Sequence, residues 1–291
     1  MKSVIINADD FGVSEGANRA IAELFSAGSL TSTSLMTNME FSDQAAKLAL
    51  NQNIKTGFHL CLAAGKPISQ PGQIPTLVDE SGNFWLRSQL LKRVFKGLVS
   101  MKEVEQEFDA QIKKFFKYGL SPDHLNTDQH VHLLPGLQEI SIKLAQKYSV
   151  PLRVPDERLI FNSWFPTKNF FTSKIPMKLL AFRLKSRCKK ESIETNDHLI
   201  SIFGFLDSRL SCHERYLKLV ECYIRPGITE IMVHPAYSDK TLEKFWIGGV
   251  AQGREREEEV KALHSLEFKR ALKNSETLLT SYSEIYMEGR K

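Results

Sequence analysis

The chain predicts an α/β fold in which short buried strands alternate with amphipathic helices and pair mainly in parallel. Three observations carry this. Val4-Ile5-Ile6, Thr31 to Thr37, Thr56 to Leu62 and Thr229 to Pro235 are short runs rich in β-branched or apolar residues, of strand length. Helical spacing with cap signals fills the stretches between them. Asp9 and Asp10, His59, the 124–132 segment, Arg153 and His234 all fall at or near predicted strand ends. Parallel sheets, barrel or doubly wound, gather their sites at the C-terminal ends of strands.

Taken in order, Val4 to Ile6 runs into Asp9-Asp10, and Gly12 then lets the backbone turn where a side chain would crowd it. Neighbouring side chains on a strand face opposite ways, so adjacent carboxylates at a strand end need not duplicate each other. Ser14 caps a helix whose apolar positions are Ala17, Ile21, Leu24 and Phe25, and Gly28 ends it. Thr31 to Thr37 is the second strand, 43–50 a helix, and Thr56 to Leu62 the third strand. Pro67, Pro71 and Pro75 with Gly65, Gly72 and Gly82 make 63–83 a long surface loop, a length commonly tied to function. Ser100 and Glu103 form a capping box for a helix ending near Gly119. After the histidine-rich 122–132 segment, Leu137 to Tyr148 is helical and Leu152 to Pro155 a short strand stopped by proline. Residues 198–203 read as a strand, and Ser211 with Glu214 as a second capping box for a helix reaching Ile224. Pro226-Gly227 turns the chain into the last strand, and the tail is helical from about Arg256.

Composition fits an ordinary globular chain: 291 residues, 42% hydrophobic and 25% charged, enough for one large α/β domain. A net charge of +5 does not imply nucleic acid, and no recognition motif accompanies it. Cys61, Cys188, Cys212 and Cys222 are scattered without paired spacing, which favours reduced thiols and a cytoplasmic setting. The first strand begins almost at residue 1, leaving no room for a secretory signal, and no run of about 18 apolar residues is present.

Two carboxylates beside an apolar strand are costly unless a cation joins them, and a metal ion is the simplest partner; an Asx turn with a helix cap is the alternative. In an extended stretch, His124, Asn126, Asp128, His130 and His132 share one face. Imidazole and carboxylate suit zinc, or another divalent ion with more oxygen ligands, whereas a satisfied polar network is the plainer account. His59, between Phe58 and Leu60, is a ligand or a hydrogen-bonded core histidine. His234 ends an apolar strand, where it is structural or protonates a leaving group. Arg153 orients an acidic partner, binds substrate, or makes an ion pair. Together these residues form the inventory for metal-assisted amide or ester hydrolysis. No GxSxG, P-loop or GxGxxG competes.

Asn7-Ala8-Asp9-Asp10-Phe11-Gly12, Thr31-Ser32-Thr33-Ser34, Gly57-Phe58-His59-Leu60, the His124–Pro135 cluster and Val233-His234-Pro235, in that order, resemble the YdjC-like carbohydrate deacetylases. Arg254 to Glu257 through Leu263-His264-Ser265 resembles that family's C-terminal helix. The family includes chitooligosaccharide deacetylases and hopanoid-biosynthesis deacetylases. The resemblance implies a distorted, TIM-like (β/α) barrel in a seven-stranded form, one domain over 1–291 with a basic insertion at about 160–195. It implies a divalent metal ion, Mg2+ or Zn2+, and removal of acetyl from an N-acetylated sugar or oligosaccharide. On it, Asp10 and His59 match metal ligands, Asp9 the general base and His234 the catalytic acid. Where the family carries a histidine as third ligand this chain has Asp128, so Asp128 or His130 completes the set. Arg153, His124 and His132 are assigned to substrate, and the family suggests a homodimer.

Lys168 to Lys190 holds eight Lys/Arg and no acidic residue, interleaved with Phe170, Phe171, Leu179, Leu180 and Phe182. It either lies on an anionic membrane surface, which would suit a lipid-linked glycan, or packs by its apolar side. Two other readings are a metal-dependent phosphoester hydrolase, which lacks its Gly-rich or multi-Arg cradle here, and a non-catalytic sugar-binding homologue, which Asp128 keeps open.

Overall fold

In the computed structural model, which describes residues 1–160, 175–205, 209–245 and 250–288, the central strand is Lys2–Phe11 (β1). Val4, Ile5, Ile6, Ala8 and Phe11 are all fully buried, as an unbroken apolar run requires when both faces of a parallel sheet are covered. The chain continues through α1 (Glu15–Ser26), β2 (Ser32–Leu35), α2 (Ser42–Gln52), β3 (Thr56–Leu60), α3 (Arg87–Phe95), α4 (Met101–Lys117) and β4 (Pro122–Thr127). Then come α5 (Leu137–Tyr148), α6 (Ile175–Lys190), β5 (His198–Ile200), α7 (Cys212–Lys218) and β6 (Gly227–Val233). The tail is α8 (Lys240–Phe245), α9 (Val250–His264), α10 (Leu266–Asn274), β7 (Leu278–Leu279) and α11 (Tyr282–Glu288).

The seven strands pair in parallel in the order β4-β3-β2-β1-β6-β5, with the short β7 also on β1. The sheet curls so that one segment reaches both of its edges: Leu152 pairs with Leu125 of β4, and Glu157 with Leu199 of β5. This is the expected single-domain distorted barrel. The strand expected at 152–155 is reduced to isolated bridges because Pro151 and Pro155 have no N–H to give to a ladder.

Helix starts follow the sequence where a cap has no competitor. Ser14 Oγ accepts the Ala17 N–H at 3.1 Å, and Ala17, Ile21 and Leu24 are buried. Ser211 and Glu214 form the full reciprocal capping box. At Ser100 only half of it forms: Ser100 Oγ accepts the Glu103 N–H at 3.4 Å, but the Glu103 carboxylate turns to Thr76, 2.8 Å from its N–H. Glu107, one turn on, accepts the N–H groups of Ile68 and Ser69 at 2.9 and 2.8 Å. Two acids of α4 thus pin the 63–83 loop, whose Ile74 and Leu77 are buried.

Other expected boundaries shift. The 198–203 strand stops at Ile200, because Ser201 Oγ takes the Phe203 N–H at 3.0 Å and starts a tight turn. The helix expected to reach Ile224 is α-helical to Lys218 and widens into a π-turn over Leu219–Tyr223. Helix α3 lay in no expected element; it buries only Leu90, too little to print an apolar stripe. Of the basic stretch, 161–174 with Phe170 and Phe171 lies outside the described residues. Within α6, Ala181, Leu184 and Cys188 are buried, while Leu179 and Phe182 are 67% and 73% exposed. Among the described residues no helix is long and apolar enough to cross a membrane.

The β3–β4 contact depends on the absence of a side chain at Gly57. A Cβ there would stand 2.4 Å from His124 Cε1, and the ring is held from behind by Tyr282, stacked at 4.7 Å. Gly57→Ala is therefore expected to cost roughly 1–3 kcal/mol of stability as an overpacking change, read as a lower urea midpoint. Gly72→Ala, where nothing lies within 4 Å of the added carbon, is expected to leave the midpoint unchanged or slightly raised.

Candidate functional site

The site begins with a break in the pleat of β1. Its register with β2 shifts between Ala8 and Phe11, and Asp10 sits in the left-handed region at φ 68°. Side chains that would alternate now both enter one cavity of about 220 Å³. Gly12 follows at φ 98°, where a Cβ would come within 3.1 Å of the Met36 carbonyl, and its N–H donates to Asn18 Oδ1 at 2.7 Å. His59 from β3, Asp128 and His130 after β4, and His234 after β6 line the same cavity.

Ligand atoms of Asp10, His59 and Asp128, all buried, lie within 4.8 Å of one another. His59 Nδ1 meets Asn126 Oδ1 at 2.5 Å, so that nitrogen carries the proton and Nε2 faces Asp10 Oδ1 at 3.6 Å. The Asn126 amide also donates to Ser34 Oγ at 2.8 Å and Asp9 Oδ1 at 3.2 Å, so one carboxamide orients both an imidazole and a carboxylate. The second oxygen of Asp10 accepts from Arg256 Nη2 at 2.8 Å.

Charge follows from this crowding. Burial draws the basicity of His59 down, but the Asp9, Asp10 and Asp128 carboxylates outweigh it and lift its pKa to about 9. Burial works against an ionised Asp10, yet Arg256 and His59 hold its carboxyl well below the usual range. Asp128 goes the other way: burial, helped by the Asp10 charge, outweighs His59 and pushes its carboxyl up. The hydrogen bonds it accepts come from Gln129 Nε2 at 3.0 Å and the Cys61 thiol at 3.6 Å. A buried carboxylate so placed, beside a second carboxylate and an imidazole whose Nε2 faces Asp10, fits a divalent cation.

Asp9 is held differently. Arg153 reaches it through two nitrogens at 2.6 and 2.9 Å, and Asn7 Nδ2 adds a bond at 2.9 Å. Burial opposes its ionisation, but Arg153 prevails and keeps the carboxyl well below the usual carboxylate range. Behind, Arg153 Nε donates to Glu230 at 2.9 Å, and Glu230 accepts the Tyr282 hydroxyl at 2.5 Å. Asp9 Oδ2 lies 3.9 Å from His234 Nε2. The His234 backbone N–H donates to Glu259 at 2.8 Å, and its ring packs edge-on to Phe203 at 5.3 Å.

The structure brings six of the nine expected residues to the cavity wall and leaves three behind it. The 124–132 stretch is not one extended face. The last β3–β4 pair is Leu60 with Thr127, so beyond it no ladder holds the chain straight, and Asp128–Leu133 coils tightly. Gln129 and His130 take left-handed φ values of 49° and 57°. His124, His132 and Arg153, expected to touch substrate, are each 0% exposed. That expectation is corrected: they form the frame. His124 bonds Asp123 and Ser34, both at 2.9 Å. His132 spans Thr127 Oγ1 at 2.7 Å and the Arg153 carbonyl at 3.1 Å, and burial pushes its basicity down to about 3. His130 lies outside the ligand cluster, with burial lowering its basicity and Nδ1 without a hydrogen-bond partner among the described residues. Sequence reasoning gave no site role to Arg256, Glu230 and Glu259: two lie in the charge-rich helical tail, the third inside a strand.

Comparison with known proteins agrees in extent. A family model described as YdjC-like protein matches residues 3–274. A carbohydrate deacetylase of Brevibacillus brevis is 31% identical, covering 97% of this chain and 99% of its own. One from Thermoanaerobacter pseudethanolicus is 32% identical with the same coverages. Among solved structures, an Enterococcus faecalis protein described as a candidate for cellobiose-phosphate cleavage superposes with a TM-score of 0.77, at 30% identity and 98% coverage of both chains.

The raised pKa of His59 would make uptake of a divalent ion at this cluster a proton-releasing event. With a value of about 9, the metal-free imidazole is protonated at pH 7 and must become neutral to ligate. Titration calorimetry at pH 7 in buffers of different ionisation enthalpy is expected to show about one proton released per ion. The apparent affinity is expected to rise as pH climbs towards 9 and to level off above it.

Proposed function

The chain belongs to the YdjC-like family, and on that premise we propose that it is a metal-dependent deacetylase removing acetyl from an N-acetylated sugar. The observation that carries the reading is the convergence of Asp10, His59 and Asp128 on one small buried volume, with Asp9 and His234 3.9 Å apart beside it. The names of the relatives supply the substrate class. We read 1–291 as one catalytic domain, with 160–195 as a basic insertion, acting in the cytoplasm.

Asp10, His59 and Asp128 would hold a divalent ion, Mg2+ or Zn2+, which would supply Lewis acidity to an amide carbonyl and a water. Asp9 is the general base for the attacking water. Its Oδ1 accepts from Asn7, Asn126 and Arg153, whereas among the described residues Oδ2 accepts from Arg153 Nη1 alone, at 2.6 Å, which makes Oδ2 the atom with a lone pair to spare. Arg153 keeps Asp9 ionised throughout the neutral range, so the base is always ready, and its weakness is matched by the acidity of a polarised water. His234 Nε2, on the far side of Asp9 Oδ2, delivers a proton to the departing sugar amine. Water is split between the fragments: the acyl carbon gains the hydroxyl and leaves as acetate, and the nitrogen gains the proton. Asn126 positions Asp9 and His59 against each other.

Asp9→Asn is expected to lower acetate release from diacetylchitobiose by about 10²–10⁴-fold while bound metal, measured by elemental analysis, stays near wild type. Asp10→Asn and His59→Ala are expected to lose the metal itself. Full activity in Asp9→Asn would remove Asp9 as the base.

A further inference from the structure

One buried polar cluster takes no part in the chemistry proposed above. Cys61 and Asp128 are each the first residue past the last β3–β4 pair, Leu60 with Thr127, so the ladder holds neither of them. For Cys61 a side chain replaces the missing strand. Gln111 of α4 accepts the Cys61 N–H through Oε1 at 2.9 Å and donates through Nε2 to the Cys61 carbonyl at 2.7 Å. Glu107 accepts three neutral donors, Gln111 Nε2 at 2.8 Å and the N–H groups of Ile68 and Ser69. Its oxygens settle which end of the Gln111 amide faces it. The Cys61 side chain lies in a small apolar cluster with Val13, Met36, Met39 and Ala236. Two acceptors are in reach of its thiol, the Ala64 carbonyl at 3.4 Å and Asp128 Oδ2 at 3.6 Å. Glu107, Gln111, Cys61 and Asp128 are all at most 2% exposed. The 63–83 loop that Glu107 holds also lines a second cavity of about 860 Å³, mainly apolar, which shares the Gln129 and His130 wall with the site cavity.

We propose that Gln111 and Cys61 act as one positioning unit for Asp128: the amide keeps Cys61 in the path of β3 after the strand has ended, and the thiol so placed directs the Asp128 carboxylate towards Asp10 and His59. The inference rests on the metal-dependent reading and deepens it, naming residues that set the third ligand without touching the ion. Asp128 opens a coiled turn, so its backbone alone leaves its carboxylate several rotamers. Gln129 Nε2 bonds Oδ2 at 3.0 Å, but it belongs to the same turn and moves with it. Cys61 bonds that oxygen from the neighbouring strand, two residues beyond His59, and so ties one ligand to the frame of another. Ligands held in place before the ion arrives bind it more tightly than ligands that must be ordered on binding.

Calorimetric titration of the full chain with Zn2+ and, separately, Mg2+ tests this, with Asp10→Asn as the variant that loses the ion. Cys61→Ala and Gln111→Met are expected to weaken ion binding about tenfold, the scale of one hydrogen bond to a charged group. Cys61→Ser, which keeps a donor, is expected to stay within about threefold of wild type. Thermal unfolding of the metal-free variants separates this from packing, because a hydroxyl in an apolar cluster is no better for stability than a methyl group. Serine is therefore expected to restore ion affinity without restoring Tm. Wild-type affinity in Cys61→Ala, or Cys61→Ser binding as weakly as Cys61→Ala, overturns the positioning role and leaves the metal-dependent reading intact. Should circular dichroism show Gln111→Met unfolded, the two Cys61 variants decide by the same criteria. An ion weakened as expected in the variants, with no acetate released from diacetylchitobiose by the loaded wild type, retains the positioning role and overturns the deacetylase reading. No ion taken up by the wild type overturns both.

Discussion

The rest of the structure depends on how buried carboxylates at one end of the barrel are matched by cations. Arg153 answers Asp9 and Glu230, and Arg256 answers Asp10. Asp128 is left with His59, which it shares with both of the other aspartates. Removing an ion from water costs several kcal/mol, repaid only when pairing is close and the remaining lone pairs are bonded. Asp9 meets that condition most nearly, with three donors on Oδ1 and one on Oδ2. Asp128 does not, and its carboxyl rises. Both aspartates are buried, but Arg153 holds Asp9 ionised while Asp128 is left short of positive charge, and on the proposed reading this difference separates a base from a metal ligand.

Frame and wall are therefore distinct populations of polar residues. His124, His132, Glu230 and Tyr282 are fully buried and bonded to one another's neighbours. They fix Arg153, Asn126 and Ser34, which in turn fix Asp9 and His59. Such ionic frames seldom add net stability compared with an apolar core. Their effect here is geometric: the Asp9 carboxylate has two oxygens in unlike surroundings, one saturated and one facing His234. The fold supports this economically. The barrel is closed by single bridges at Leu152 and Glu157, so Arg153 sits on a segment tied to both sheet edges and reaches across to β1 and β6.

Much of this was legible in the sequence, for identifiable reasons. Asp9, Asp10, His59 and His234 stand at strand ends, and the parallel layout turns that position directly into proximity. The helix caps at Ser14 and Ser211 were legible because their partners are three residues away and nothing competes. Glu103 shows the limit: it carried the same local signal, yet a loop residue far off in the chain, Thr76, offered better donors. The bulge that turns Asp9 and Asp10 to one side has no local code, since Asp10 adopts φ 68° without being glycine. Alternation over 124–132 misled because extended phase lasts only as long as the neighbouring strand, and β3 stops at Leu60. Arg256 and Glu259 were hidden among other charges on α9, where a residue turned inward looks the same in sequence as one turned outward.

That same turn after β4 has a further consequence. Had the strand continued, Asp128, His130 and His132 would share a face and compete for one ion. By coiling, the chain sends Asp128 to Asp10 and His59, buries His132 against Arg153, and sets His130 with Gln129 as a partition between two cavities of unlike character. Left-handed φ at two successive non-glycine residues is an unfavourable conformation that surrounding structure must impose. Here the imposition comes from both sides: Thr127 Oγ1 ties back to the His132 N–H at 3.1 Å, and Leu134 N–H to the Val131 carbonyl at 3.0 Å. A six-residue turn thereby decides which side chain joins Asp10 and His59, which one packs against Arg153, and which one stands between the two cavities.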